Sequence, residues 1–366
     1  MNILIFLIIL LVLVVVHEFG HFFTAKKFGI RVDEFGFGFP PKLFGKKYGE
    51  TEYTFNLLPL GGFVKIFGEN PDDENTNGPD KERSFVNKAK WKQAIVLFAG
   101  VFANFLLAWF LFSIGFMSGL PTSLGSEVKG YALKDVHTVV VSVFPKSPAE
   151  IAGLKSGDKI VNLSSGKDSV LDINPDTLKS FVLSHNDKKI EIGYMRGKNT
   201  TINSVSIIPS VEKKGGEPKI GIAMDMIGIA KLPFFIAFKE GLSLTWFVAT
   251  STVVGLYTLI ADSVQGHGSF ESITGPVGLV SIVGDAYEFG FIYLLSFAAL
   301  ISVNLAIINL LPFPALDGGR LFFLLIEKIK GSRMNPKFAN TANMIGFGIL
   351  ILLMLVVTYH DVIKLF

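Results

Sequence analysis

Four stretches of the chain are almost wholly apolar, and they set its organisation. Asn2 to Val16 runs through Ile, Leu, Val and Phe with little interruption, and Phe19, Phe22 and Phe23 extend it to the roughly 20 residues a bilayer-spanning helix needs. No Lys or Arg precedes this stretch and no small-x-small cleavage site follows it directly, so it reads as a span rather than a signal peptide. Ala94 to Met117 predicts a second span, Phe291 to Leu311 a third, and Asn343 to Tyr359 a shorter fourth completed by flanking residues. Trp246 to Ala261 has comparable hydropathy, with Lys239 and Glu240 before it and Asp262 after it, a pattern that suits a helix lying at the interface.

Two polar segments hang from this frame. In Gly29 to Ala89, the patterns around Phe35 to Phe39, Glu52 to Leu57 and Phe63 to Ile66 predict strands, and Gly36, Gly38, Pro40 and Pro41 favour a loop. The run from Glu69 to Arg83, acidic between Pro71 and Asp80, reads as loop, and Lys81 to Lys92, with Phe85 and Trp91, as an interfacial helix leading into the second span. In Gly130 to Gly216, strands are expected at Val139–Phe144, Lys159–Leu163 and Lys189–Met195. Helices are expected from Ser147-Pro148-Ala149 and over Thr177–Ser184, with turns at Gly153 and Gly157-Asp158.

Composition agrees with a membrane frame: of 366 residues half are apolar and only 18% charged, against about 25% in an ordinary soluble domain. Thirty-four basic against 31 acidic side chains give +3, which leaves no footprint for nucleic acid. The absence of cysteine excludes disulfides, thiolate metal sites and a cysteine nucleophile, so any metal must rest on His, Asp or Glu. Lys26, Lys27 and Arg31 follow the first span, Lys88, Lys90 and Lys92 precede the second, and Arg320, Lys328, Lys330 and Arg333 follow the third. Those ends belong on the cytoplasmic side, which puts both termini and the segment between the second and third spans outside.

The chemistry begins at the end of the first span. His17-Glu18-Phe19-Gly20-His21 is an H-E-x-x-H match, and a spacing of four on a helix stacks both imidazoles on one face. They can hold one zinc ion while Glu18 serves as general base for a bound water. With six histidines in the chain, a chance match is expected on the order of once in a few hundred such sequences, and His and Glu inside a span are costly unless they work. A third ligand is required, and Asp317 is the candidate: Asn309 to Gly319 breaks the third span at Pro312 and Pro314 and delivers a carboxylate at membrane depth. Asp317 also suits a helix cap before Arg320 to Ile329, and topology separates the two roles. Both ligand groups sit at the C-terminal ends of their spans, so the first and third spans must run parallel, and Trp246–Ala261 must not cross. Labelling of Ser269 from the cytoplasm would defeat this arrangement.

These residues resemble the site-2 protease family of intramembrane zinc metalloproteases, within it the bacterial regulator-of-sigma-E protease group. The resemblance rests on His17–His21, on Asn309 to Gly319, on Gly61-Gly62-Phe63-Val64-Lys65, on Gly275-Pro276-Val277-Gly278 and on a PDZ-like segment between the second and third spans. It implies zinc on His17, His21 and Asp317, Glu18 as the base, and Asn309 near the substrate backbone. It also implies a multi-pass protein of the bacterial inner membrane that cleaves single-span membrane proteins, such as anti-sigma factors, or signal-peptide remnants. The expected fold is an α-helical membrane protein of four transmembrane helices, with a β-hairpin region on the cytoplasmic side and one inserted PDZ-like α+β domain. Its parts are residues 1–117, 118–215 and 216–366. Many Gram-negative members carry two PDZ domains and a His after LDGG, where this chain has space for one and Arg320. The PDZ-like domain either binds peptide ends by strand addition or acts as a lid against large external domains. The competing class is a membrane scaffold with a peptide-binding domain and a closed structural zinc. Asn104 either bonds a neighbouring helix or orients a zinc ligand, Gly115 and Gly119 form a G-x-x-x-G pair that lets spans approach, and His137, His185, His267 and His360 read as surface or packing residues.

Overall fold

The computed structural model describes residues 1–70, 73–197, 201–211, 216–266 and 274–363, so that His267 and Ser269 lie outside the described residues. Helix α1 (Asn2–Lys27) leads to strands β1 (Val32–Tyr48) and β2 (Thr51–Ile66), the short α2 (Asp73–Asn77) and α3 (Lys90–Ser118). An α+β insert follows: β3 (Leu120–Ser123), β4 (Lys134–Val143), α4 (Pro148–Ile151), β5 (Lys159–Ser165), β6 (Asp168–Val170), α5 (Pro175–Ser184), β7 (Ile190–Met195), β8 (Asn203–Ile207) and β9 (Ile222–Ala230). The chain closes with α6 (Phe234–Val264), α7 (Pro276–Phe289), α8 (Phe291–Leu310), α9 (Asp317–Lys330) and α10 (Pro336–Ile363). Two units result, Met1–Leu111 with Gly241–Val283 and Phe297–Phe366, and Phe112–Glu240 with Gly284–Ser296.

Among the described residues five helices, α1, α3, α6, α8 and α10, are long and apolar enough to cross a membrane, one more than the four expected. The additional one grows from Trp246–Ala261. The helix runs through Lys239 and Glu240, whose side chains approach each other at 3.5 Å, and reaches 31 residues. The expected helix Lys81–Lys92 does not form. Its place is taken by two 3-10 turns, Lys81–Arg83 and Phe85–Asn87, separated by an extended Ser84, because Phe85 is buried in the core and its N–H bonds the Phe67 carbonyl at 2.8 Å.

In the first unit, Ala25, Ile30, Val32, Ile66, Phe85, Val96 and Leu97 form a core with Leu321 and Leu324 against it, joining α1, the strands, α3 and α9. The two strands fold more tightly than a plain hairpin. Residues 34–37 of β1 pair with 52–55 of β2 on one side and with 62–65 on the other, while 44–47 cover the far side of 52–55. The sheet therefore has four strand segments, and residues 62–66 form one of its edges. The sheet leaves apolar side chains exposed at Leu43, Phe44, Phe55 and Leu57. Its bend reaches beside α1 above the motif, for a Cβ on Gly61 would lie 3.1 Å from the Phe39 ring and 3.5 Å from Val14. Farther along, α10 holds the other elements at two heights. Gly346 abuts the Pro314 carbonyl, and Asp361 accepts the N–H groups of Gly275 (3.1 Å) and Gly278 (2.9 Å) at the start of α7. Fifteen residues separate those levels, about 22 Å along a helix.

The second unit is built on one sheet in the order β3-β9-β4-β5-β7-β8, with β6 beside β5, so it extends past residue 215 to Ala230. Its core comprises Val140, Leu163, Leu178, Ile190, Ile192 and Ile207 among others. α5 starts with a capping box between Asn174 and Thr177, and Ser147 caps α4 ahead of Pro148. Asp158 is fully buried, and its two oxygens accept from Arg196 at 2.6 and 2.7 Å. This fork holds the guanidinium above its ordinary pKa. Beside it Gly157 turns with φ +87°, where the Phe289 ring leaves no room for a Cβ. Gly115 and Gly119 do not serve helix approach as expected: a Cβ on them would meet Leu120 and Ile229, so they let α3 end against the sheet.

Candidate metal centre

His17 and His21 stand one turn apart on α1, each 6% exposed, and both face α3. The two helices touch at backbone distance there. A Cβ on Gly20 would strike the Ala99 carbonyl, and one on Gly100 would strike both imidazoles. An ordinary side chain at either position would push the histidines out of register, so small residues on each helix create the room the rings occupy.

Asp317 arrives from the opposite end of the sequence as the first residue of α9. The break after α8 puts Ala315 at φ +77°, a conformation costing about 1 kcal/mol or more outside glycine. It is stabilised by the Ala315 N–H, which donates to Asn343 Oδ1 of α10 at 3.1 Å. Gly318 and Gly319 press their backbones against the carbonyls of Leu310, Leu311 and Phe313, positions no Cβ could share. The result is a rigid corner with a carboxylate at its tip.

Three ligand atoms converge. Asp317 Oδ2 lies 3.0 Å from His17 Nε2 and 3.2 Å from His21 Nε2, and the two Nε2 atoms are 3.2 Å apart. Donors at 2.0–2.1 Å on a tetrahedron stand about 3.4 Å from one another, so the spacing fits a zinc ion. Among the described residues these are the three His, Asp or Glu side chains in the cluster, which leaves a fourth position for water or substrate.

The groups behind the imidazoles fix which nitrogen faces the metal. His21 Nδ1–H donates to the Val96 carbonyl at 2.8 Å, leaving the Nε2 lone pair free. Asn104 stands 3.4 Å from His17 Nδ1, fully buried, with its Oδ1 lacking any partner. An amide's oxygen and nitrogen exchange by a half-turn, which sets Oδ1 against the His17 Nδ1–H and frees His17 Nε2 in the same way. Ser302 of α8 donates to the Asn104 carbonyl at 2.8 Å, tying this support to the helix that leads to Asp317. Of the two roles open to Asn104 in the sequence, the structure places it behind a ligand.

Glu18, half-buried, follows His17, and the backbone N–H of Val64 on the sheet edge is directed at its carboxylate. Asn309 is the penultimate residue of α8, half-buried, and the ligand contacts described above do not include it. His185 packs on the Phe181 ring at 4.2 Å and His360 keeps Nε2 buried, and neither belongs to the three-residue cluster. Gly100 carries no signal in the sequence, because a glycine in an apolar span has no chemical signature.

The profile of peptidase family M50 matches residues 5–353. A chain of Clostridium perfringens named for zinc metalloprotease activity is 35% identical over 352 residues, 96% of this chain and 95% of its own. One of Clostridium acetobutylicum, similarly named, is 34% identical over 99% and 97%. The zinc metalloprotease RasP of Geobacillus kaustophilus is 30% identical, covering 99% of this chain and 97% of its own.

Proposed function

Since the chain belongs to peptidase family M50 and is a zinc metalloprotease of a multi-helix membrane frame, we propose that it hydrolyses peptide bonds within or near the membrane-spanning segments of its substrates. The observation that carries this reading is the placement of the metal ligands. His17 and His21 lie inside an apolar helix of 26 residues, beside an unpaired sheet edge.

A peptide bond in a spanning helix is hydrogen-bonded and shielded, so the substrate must unwind and its freed backbone must find partners. Residues 62–66 have a strand neighbour on one side, and an extended substrate pairing on the other would run past Glu18. The exposed apolar side chains Leu43, Phe44 and Leu57 suit a sheet tip immersed in lipid. When bound, zinc polarises the scissile carbonyl and brings the pKa of its water near neutrality. Glu18 accepts the proton of the attacking water and returns it to the leaving amine. His17 and His21, held by Asn104 and Val96, present Nε2 in fixed orientation, and Asn309 engages the substrate backbone. A closed structural zinc, as a scaffold protein would use, needs a fourth protein ligand, which the cluster of described residues lacks.

The insert is read as a PDZ-like domain outside the membrane, with both termini on that side and the basic ends of α1, α3 and α9 toward the cytoplasm. The two heights on α10 support this topology. Asp361 receives the start of α7 about 22 Å from the Pro314 level, so α7 begins on the side away from the metal. Substrates would be single-span proteins or signal-peptide remnants, in a bacterial cytoplasmic membrane. Purified Glu18→Gln should retain zinc and lose cleavage of a single-span substrate; continued cleavage would remove Glu18 from its role.

A further inference from the structure

Arg320 lies three residues after Asp317, on the first turn of α9, and its guanidinium forms an ion pair with Glu69. Both partners are partly buried, at 29% and 21% side-chain exposure. Glu69 sits three residues beyond the end of β2, whose last segment is the sheet edge beside Glu18. The pair thus bridges the helix that delivers the third metal ligand and the strand that faces the general base.

Each end of the bridge is rigid. On the strand side Gly68 turns at φ +77° hard against Ser84, the Phe67 N–H donates to the Arg31 carbonyl at 2.9 Å, and the Glu69 N–H donates to the Ile66 carbonyl at 3.2 Å. On the helix side Gly318 and Gly319 lock α9 to the break, and Leu321 and Leu324 pack on the core that includes Ile66. A half-buried pair between two rigid elements fixes a distance, whereas an exposed pair between mobile side chains contributes little. Arg320 also lies within electrostatic reach of Glu18, so the bridge runs alongside the reacting groups.

We propose that Glu69 and Arg320 are positioning residues whose ion pair sets the offset between the edge strand 62–66 and the metal centre, and so determines which peptide bond of a paired substrate is cut. The inference rests on the strand-pairing reading of the proposed function. A substrate strand that slips on the edge keeps its faces only in steps of two residues, because side chains alternate with that period. Loosening the bridge therefore yields products displaced by two residues, together with a lower turnover.

The test is a double-mutant cycle on the full-length protein in detergent or liposomes, with Glu69→Gln, Arg320→Gln and the double variant, zinc content measured in each. A single-span substrate is cleaved and the product ends are read by mass spectrometry. The expected result is full zinc, a fall in kcat of ten-fold or more for each single variant, no further fall in the double, and a second product end two residues from the first. Arg320→Lys should restore most of the wild-type pattern. Unchanged rate and product ends in Glu69→Gln would overturn the proposal, as would multiplying effects in the double variant or loss of zinc in the single variants. Failure of the underlying reading shows separately, as wild-type protein that cuts no spanning substrate or that cuts with Glu18→Gln in place.

Discussion

Replacing Gly100 with Ala should cost the protein its metal without touching a ligand. In the middle of α3, glycine is the poorer helix former, and alanine there would ordinarily stabilise by up to about 1 kcal/mol. The structure reverses that expectation. The added Cβ would stand 2.3 Å from His21 Nε2 and 2.8 Å from His17 Cε1, where ordinary contact begins at 3.4 Å. The rings must therefore retreat by the differences, 1.1 and 0.6 Å, or the helices must part by as much. Metal sites tolerate displacements of about 0.2 Å, so the ligand triangle cannot absorb this. Overpacking adds a penalty of about 1–3 kcal/mol, which exceeds the gain in helix propensity. The assay is competitive zinc titration of the purified apo-protein with a chelating dye, alongside thermal unfolding with and without zinc. The expected outcome is zinc affinity lowered at least ten-fold, smaller stabilisation by zinc, and activity that recovers in part as zinc is raised. Wild-type affinity together with wild-type kcat would refute the claim that backbone contact between α1 and α3 sizes the site.

Asn104→Ala should lower zinc affinity or activity by about 10- to 100-fold, as removal of a group orienting a ligand does, while Asn104→Asp, which keeps an acceptor for the His17 Nδ1–H, should retain more of both in the same titration. Glu50 offers a pH test: burial opposes its ionisation, but Lys26 and Arg83 outweigh this and hold the carboxyl below its ordinary value. A depressed folded pKa means that the pair stabilises above the unfolded value of about 4.3 and is lost as pH falls through the folded one, so the melting difference between wild type and Glu50→Gln should be present at neutral pH and vanish in acid. Gly157→Ala combines a left-handed backbone with a clash on Phe289, and should destabilise the α+β unit by about 1–2 kcal/mol or more in thermal melts, in part relieved by Phe289→Ala.

The parts of the site that were legible in the chain are those in which chemistry is written into residue type. Two histidines and a glutamate inside an apolar helix are costly, and prolines followed by Asp-Gly-Gly announce a bend. What escaped depends on packing between distant segments. The doubled strand pairing could not be read, since residues 34–37 acquire two neighbours only after β2 bends back beside α1. Lys81–Lys92 has helical charge and aromatic spacing, yet Phe85 is drawn into the core and its backbone bonds to Phe67, which outweighs local propensity. Lys239 and Glu240 look like a boundary in the sequence, yet α6 runs through both, an exposed lysine and a half-buried glutamate near its start. Asn104 and Gly100 lie on a span whose facing could not be derived without knowing that α1 touches it.

The corner that carries Asp317 is clamped from behind by the final helix, through Asn343 on the Ala315 amide and Gly346 on the Pro314 carbonyl. A version of this chain cut short after Gly331 would still possess both histidines, the glutamate and the aspartate, yet its loop at Ala315 would be free to relax out of its left-handed turn. C-terminal truncation should accordingly mimic an active-site lesion, and a tag or fusion that strains the last span would inhibit the enzyme from the far end of the polypeptide.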